Sequence, residues 1–426
     1  TQTEESDDSE DTSSKGIKAD WMFDISGGEV NVTTTTSTSN DFGGRVEMKD
    51  SLQMTDDEIQ SMREQMNNNQ FTQTEESDDS EDTSSKGIKV DWMLDISGGK
   101  VTVNSTDHAI HCTSDINITG GTLNLSSESK KGISCHGDVT IDDGDITITK
   151  STEGIESKKI LTINGGNIDI TASDDGLNSG GTCANQNGGF GGGTNMQGGQ
   201  QGNRGQIGRQ NSDGQDGNQM TPPDMSSDQN GGQMTPPNMQ QAEGNEQDSE
   251  HHIQINGGNI KIVADADGID SNGSLFINGG TITVDAQATG AESAFDTDGA
   301  FIVNGGTIIG VSGSGMDESP NSYSDQNVIL AYTTSQISAG DEVKITDSNG
   351  KTIAEYTAVK GGSKIVYSSD KLKTGEMYTV YASGEEVGSA EIESSITKIG
   401  TKSNSGFGGG HRQKTTDNTT DTGATN

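Results

Sequence analysis

Carboxylates recur in this chain just ahead of short apolar steps. Residues 173–181 read SDDGLNSGG, so Asp174 and Asp175 stand side by side before a glycine, one apolar residue, an amide and a hydroxyl. Glu153 holds the place of Asp175 in the preceding segment, and Asp267 holds it after a long interruption. Three residues further on come Glu156, Asn178, Asp270 and Asp296, with Asp265 and Asp298 nearby. Such a set can do three kinds of chemistry. Asp, Asn and Gly form turns through local hydrogen bonds. Two carboxyls about 5 to 9 Å apart can act as an acid and base pair on a glycosidic bond. Flexible carboxylate and amide oxygens can also hold calcium, which takes about six to eight oxygen ligands. The third reading makes Glu153, Glu156, Asp174, Asp175, Asn178, Asp265, Asp267, Asp270, Asp296 and Asp298 candidate Ca2+ ligands.

Which reading applies depends on the elements that place these residues. The chain repeats a nine-residue template: DISGGKVTV (95–103), NITGGTLNL (117–125), TIDDGDITI (140–148), TINGGNIDI (162–170), QINGGNIKI (254–262), FINGGTITV (276–284) and IVNGGTIIG (302–310). Successive glycine pairs are 22, 23, 22, 92, 22 and 26 residues apart. Apolar residues alternate on each side of the pair, as in Ile163, Ile168 and Ile170, which is the period of a strand with one face inward. A third short strand lies between templates, at AIHC (109–112), GISC (132–135), GIES (154–157), GLNS (176–179) and GIDS (268–271). Two or three short strands per 22 residues predict one coil of a parallel β-helix, with coils about 4.8 Å apart. The crossover preference of parallel strands predicts a right-handed one. Calcium-binding nonapeptide rolls also carry Gly-Gly pairs, but their period of about nine does not fit.

Stacking turns sequence columns into rows in space. Carboxylates at the positions above then pile up along one face and repel unless something positive lies between them. A lyase acting on an acidic glycan would want a calcium ion there and an Arg or Lys as base. All five arginines (Arg45, Arg63, Arg204, Arg209 and Arg412) lie in linkers, the insertion or the tail. Lys130, Lys131, Lys158 and Lys159 fall at turns, where solvated side chains are expected. Lys158 and Lys159 remain candidate glycan contacts, and Lys158 is the first candidate base. Trp92, and its duplicate Trp21, fall at turn positions where a ring can stack on a sugar or cap the first coil. His111 reads as a surface residue. Cys112 and Cys135 share a column in adjacent coils, as a small buried ladder or a disulfide.

The totals limit the partners. With 26 basic and 66 acidic residues in 426, the chain carries a net charge of −40, which excludes a nucleic-acid footprint. Apolar residues make up 27%, a level that supports a core only if they are concentrated, as the narrow coils concentrate them. No apolar run reaches the roughly 18 to 20 residues of a membrane span. The chain begins at Thr1 without methionine, as a processed segment would, and three cysteines show neither an even disulfide set nor zinc spacing. The organisation expected is a duplicated first coil (1–32), a linker with a short helix around MTDDEIQSMREQM (33–71) and a first part of the β-helix (72–181). A disordered insertion rich in Gly, Gln, Asn and Pro (182–251) separates this from the second part (252–316). An antiparallel β capping module (317–400) and a disordered tail (401–426) complete it. Residues 1–32 and 72–103 match at 28 of 32 positions, differing at Ala19/Val90, Phe23/Leu94, Glu29/Lys100 and Asn31/Thr102.

Written as DDGLNSGG, ADGIDSNGSLFINGGTITV and DTDGAFIVNGGTIIGVSGSGM, the coils resemble a bacterial family of secreted carbohydrate-binding proteins with a right-handed parallel β-helix related to pectate lyases. The resemblance covers about residues 72–181 and 252–396. It implies an extracellular protein, calcium held by carboxylates on the turns, and adhesion to plant cell-wall polysaccharides, both pectin-type uronic acid glycans and cellulose, without catalysis. Asp175, Asp267, Asp298, Asn178 and Asp270 are the positions that match. A pectate-lyase-like enzyme and a structural surface adhesin are the other functions the residues allow.

Overall fold

The computed structural model describes residues 16–34, 85–180, 251–290, 292–315 and 318–402, and the backbone of 45–49. Eight coils stack through three parallel sheets. Sheet A takes one three-residue strand from each coil: Ile17–Ala19, Ile88–Val90, Ile110–Cys112, Ile133–Cys135, Ile155–Ser157, Leu177–Ser179, Ile269–Ser271 and Phe295–Thr297. Sheet B stacks eight further strands, and sheet C carries the longest strands of the coils, such as Asn167–Ala172. The described residues are all-β, and the parallel β-helix expected from the 22-residue period is the fold. The candidate helix at 54–66 lies outside the described residues, and the linker contributes a strand, Arg45–Lys49, antiparallel to Glu29–Thr33.

Each coil turns from sheet B to sheet C at its glycine pair. The second glycine has a positive φ in every coil, from 76° at Gly28 to 121° at Gly144, a region that L side chains rarely adopt. This is why Gly144 persists where its neighbour has become Asp143. Beside that turn, side-chain amides stack across coils: Asn164 donates to Asp142 (2.7 Å), Asn256 to Asn164 (2.7 Å), Asn278 to Asn256 (2.8 Å) and Asn304 to Asn278 (2.9 Å). The ladder runs unbroken from residue 164 to 256, so the coil register continues across the insertion. Inward residues form one continuous core of stacked Ile, Val and Leu. About 1.5 to 3 kcal/mol for each such side chain buried explains how a polar chain sustains it.

Coil 1 packs its duplicate sequence on coil 2 in a particular way. Ile17 pairs with Ile88, Met22 with Met93 and Ile25 with Ile96, so every residue lies on its own copy. The four differences between the copies therefore face each other as Ala19 on Val90, Phe23 on Leu94, Glu29 on Lys100 and Asn31 on Thr102. At Glu29 and Lys100 the exchange replaces a like-charge stack by an ion pair at 3.8 Å.

The insertion leaves coil 6 between its sheet A strand, Leu177–Ser179, and its sheet B strand, His252–Ile255. It therefore interrupts a coil instead of separating two. Beyond coil 8, Gly361–Ser368 adds antiparallel to Thr307–Ser312, and Val328–Ser338 adds antiparallel to Gly361–Ser368. Ile396–Gly400 then pairs parallel with Val328–Ser338. A four-stranded antiparallel sheet, with 352–357, 342–347, 377–382 and 385–391 in spatial order, carries a second core. Fully buried Asp285 of coil 7 joins the two parts: it accepts hydrogen bonds from Tyr356 Oη and from the Lys360 amide (3.1 Å).

A charged cleft along sheet A

The outer face of sheet A carries two rows of polar side chains that run from coil to coil. Its central row, held in register by parallel pairing, is Lys18, Lys89, His111, Ser134, Glu156, Asn178, Asp270 and Asp296. Three residues earlier in each coil from 2 to 8 stands a flanking row: Lys86, His108, Lys131, Glu153, Asp175, Asp267 and Ser293. The residue types needed in the core are fixed by the inward columns, so these outward columns are left open to carry chemistry. The middle of this face is buried instead of solvated: His111 is 1% exposed, and Ser134 and Glu156 are 3% exposed.

Coils 6 to 8 hold the acidic end. Asp175, Asn178, Asp270 and Asp296 are partly buried, Asp267 is buried, and Asp174 and Asp298 are exposed. Burial, then Asp174, pushes the Asp175 carboxyl up to about 7. Burial, with Asp175, Asp296 and Asp298 adding to it, takes Asp270 to about 7. Burial and the neighbouring Glu292 take Asp267 to about 9, although the Ser293 amide donates to it. Asp175 is anchored in turn by accepting the Asp267 amide at 3.0 Å. Burial also raises Asp174 and Asp296. Two oxygens at this end, Glu153 Oε2 and Asn178 Oδ1, are buried without a hydrogen-bond partner.

Coil 5 is a seam. Lys131 reaches from coil 4 to ion-pair with Glu156 and, at 3.4 Å, with Glu153; Lys158 holds Glu156 at 2.9 Å. Burial is the largest influence on Glu156 and pushes it upward, yet Lys131 and Lys158 together outweigh it and keep the carboxyl below its ordinary range. Lys131 is therefore not the solvated turn residue that its position suggested, and Glu156 is a paired carboxylate. Asp265 ion-pairs with Lys360 of the capping part. Lys159 is exposed at the rim.

Coils 2 to 4 hold the opposite end. His111 packs against His108 and His136, with ring centroids 5.3 and 5.1 Å apart, and is not a surface residue. Lys86 lies 3.9 Å from Asp107, and Lys89 lies 3.6 Å from Asp91. Burial, with Lys86, Lys131 and Lys130 adding to it against Asp107, takes His108 down to about 3. Cys112 and Cys135 are buried free thiols whose sulfurs point at backbone carbonyls, such as Trp92 O at 3.2 Å, and form no disulfide. Trp92 is half-buried under coil 1, and its duplicate Trp21 is 59% exposed at the end of the stack. Sequence reasoning found the acidic row by stacking, but missed the histidine cluster, because His108, His111 and His136 occupy three different columns and meet only through packing.

A polar groove crosses sheet C at Asp145, Asn167, Asp169, Asn259 and Lys261, where the groups satisfy one another: Asn167 donates to Asp145 (2.7 Å), Asn259 to Asn167 (2.9 Å) and Lys261 to Asp169 (3.3 Å). The sheet A face is where charge stands unbalanced. Among the described residues no three His, Cys, Asp or Glu side chains already surround one ion-sized point. No helix among them is long and apolar enough to cross a membrane.

Fold and side-chain rows together define a solenoid with a linear polar face. The family described as "Carbohydrate-binding domain-containing protein" matches the chain twice, at residues 11–128 and 118–214, which supports a carbohydrate-binding protein. No curated protein and no solved structure matches the chain.

Proposed function

We propose that the chain is a non-catalytic, extracellular polysaccharide-binding protein whose ligand lies along the sheet A face, and that calcium in coils 6 to 8 links it to the uronate groups of a pectin-type glycan. The observation that carries this reading is the acidic end itself: carboxyls that burial and like-charged neighbours push to about 7 and 9, beside two buried oxygens without donors. Hard oxygen donors from Asp175, Asn178, Asp267, Asp270 and Asp296, with Asp174, Asp298 and Glu153 at the margin, suit calcium in type and number. Calcium, when bound, supplies charge that offsets the carboxylates and coordination positions for sugar oxygens. Because no three side chains surround a point unaided, ion and glycan are expected to strengthen each other's binding. A base for elimination is not favoured, since both Lys131 and Lys158 are committed to Glu156.

Retention of the full chain on polygalacturonate beads, with calcium and then with chelator, tests the reading. Calcium should tighten binding by about tenfold or more. Equal retention in both conditions would remove calcium from the proposal, and retention on neither polygalacturonate nor cellulose would remove the ligand class.

A further inference from the structure

We infer that coils 2 to 4 of the same face form a metal-independent subsite for an anionic sugar substituent, a carboxylate or a sulfate ester, built from Lys89 and His136 beside Lys86, His108 and His111. This inference rests on the reading of the face as a glycan site, and adds to it a fixed direction for the ligand.

The argument begins with sign. In a chain of charge −40, a polyanion is repelled almost everywhere, and most strongly beside the acidic end of this face. Coils 2 to 4 are the exception on this face. Lys86 and Lys89 lie there with three imidazoles, and Lys131 stands at their edge, paired with the glutamates of coil 5. Lys89 lies 3.6 Å from Asp91. That distance is an ion-pair contact too long for a hydrogen bond, so the Lys89 ammonium has donors to offer a closer acceptor. Access is graded: Thr113 is exposed, Lys89, Lys131 and His136 are half-buried, and Lys86, His108 and His111 are buried beneath them. Partial burial of this kind strengthens a charge-assisted hydrogen bond by lowering the local dielectric.

The imidazoles add donors without adding fixed charge. His108 faces Asp107, Lys86, Lys130, Lys131 and His111, while His111 faces His108, His136, Lys86 and Lys89. Burial and the neighbouring cations keep both rings neutral, so each carries one N–H. Their nearest anion is Asp107, which accepts the His108 amide at 2.6 Å. On the far side, the subsite ends at the seam, where Lys131 and Lys158 are paired with Glu153 and Glu156. An anionic group is thus attracted over coils 2 to 4 and turned away beyond coil 5, unless a metal ion is present there. A polyanionic chain would bind with one stretch held directly by nitrogen donors and the next held through calcium.

Titration calorimetry on the full chain in chelator removes the metal-dependent part. Oligogalacturonate presents the carboxylate, dextran sulfate presents the sulfate ester, and neutral dextran is the control. Binding of either anion in chelator, weakening with added salt and not shown by dextran, is expected, and the one that binds identifies the substituent. Lys89→Gln and His136→Gln should each weaken it by about tenfold, and Lys89→Arg should retain it. Asp270→Asn should leave the chelator-resistant binding intact. Absence of anion binding in chelator, or binding indifferent to Lys89→Gln and His136→Gln, would overturn the inference. If oligogalacturonate then binds once calcium is restored, the proposed function stands without this subsite; if it does not, both fail.

Discussion

Coils 2 to 4 and coils 6 to 8 share a backbone, a strand register and a core, yet their outward rows carry opposite charge. Lys89 and Asp270 occupy the same position in the row, as do His111 and Asn178. What differs is confined to side chains with no part in the core, so the scaffold can change its chemistry coil by coil without changing shape. Burial then acts on both ends in one direction, toward neutrality. It strips the proton from His108, which falls to about 3, and retains one on Asp175 and Asp270, which rise to about 7. Coil 5 lies between the two halves and offers Glu153 and Glu156 to Lys131 of the first.

Breaking that seam should have the largest effect. Glu156 has a side chain 4% exposed and is held by Lys131, Lys158 and the Ser134 hydroxyl (3.1 Å). Glu156→Ala should cost about 3 kcal/mol, because a mostly buried Lys131 is left without its closest partner. Urea unfolding followed by circular dichroism measures it. The double variant Lys131→Met with Glu156→Leu should recover most of the loss. A cost below about 0.5 kcal/mol for Glu156→Ala would mean that the halves are not joined electrostatically.

The sheets of the coils were legible in the sequence because parallel stacking repeats its demands. One glycine in each coil must take a positive φ and six or so positions must be apolar, so the same letters return every 22 residues. The acidic row was legible for the same reason, since equal offsets become neighbours. What was not legible depends on contacts between unequal offsets. His111 looked solitary in its column, yet it packs between rings from two other columns. Lys131 looked solvated at its turn, yet it crosses to the next coil to reach Glu153 and Glu156. Asp265 stands two positions before the acidic flanking row, yet Lys360, almost a hundred residues later, pairs with it. Periodicity carries no record of such pairings, because long side chains choose partners by reach and charge.

The two halves should also separate by pH. Asp175, Asp270 and Asp267 have folded-state values raised above the ordinary carboxylate value of about 3.8, so the folded chain holds protons that the unfolded chain releases. Their contribution is fullest at acid pH and is lost as pH rises through about 7 and then about 9. His108 and His111 have lowered values, so theirs is present above about 6.5 and is lost as pH falls. Between pH 6.5 and 9 only the acidic half is changing, and in chelator the melting temperature should fall steadily across that range. Asp270→Asn should flatten the fall and, at the alkaline end, stabilise the chain by about 1 kcal/mol through loss of a like charge. A melting temperature that is level or rising from pH 6.5 to 9 would contradict the acidic half as described.

The smallest effect tests whether the basic half is strained in the same way. Lys18 of coil 1 lies in register on Lys89, each drawn sideways to its own aspartate, Asp20 or Asp91, at 3.6 Å. In the same two coils Glu29 lies on Lys100 as an ion pair. Lys18→Glu should therefore stabilise by about 0.5 kcal/mol, and Glu29→Lys should destabilise by a similar amount. Both effects should fade at about 1 M salt, where screening acts within roughly 3 Å. Differential scanning calorimetry at low and high salt resolves the pair by sign even where each shift is small. Opposite signs would mean that the basic row, like the acidic one, is held together against its own repulsion by the core beneath it. An oppositely charged ligand gains from that arrangement, because it relieves repulsion the core has already overcome. Equal signs would mean that Lys18 and Lys89 interact through packing, and that only the acidic half stores charge.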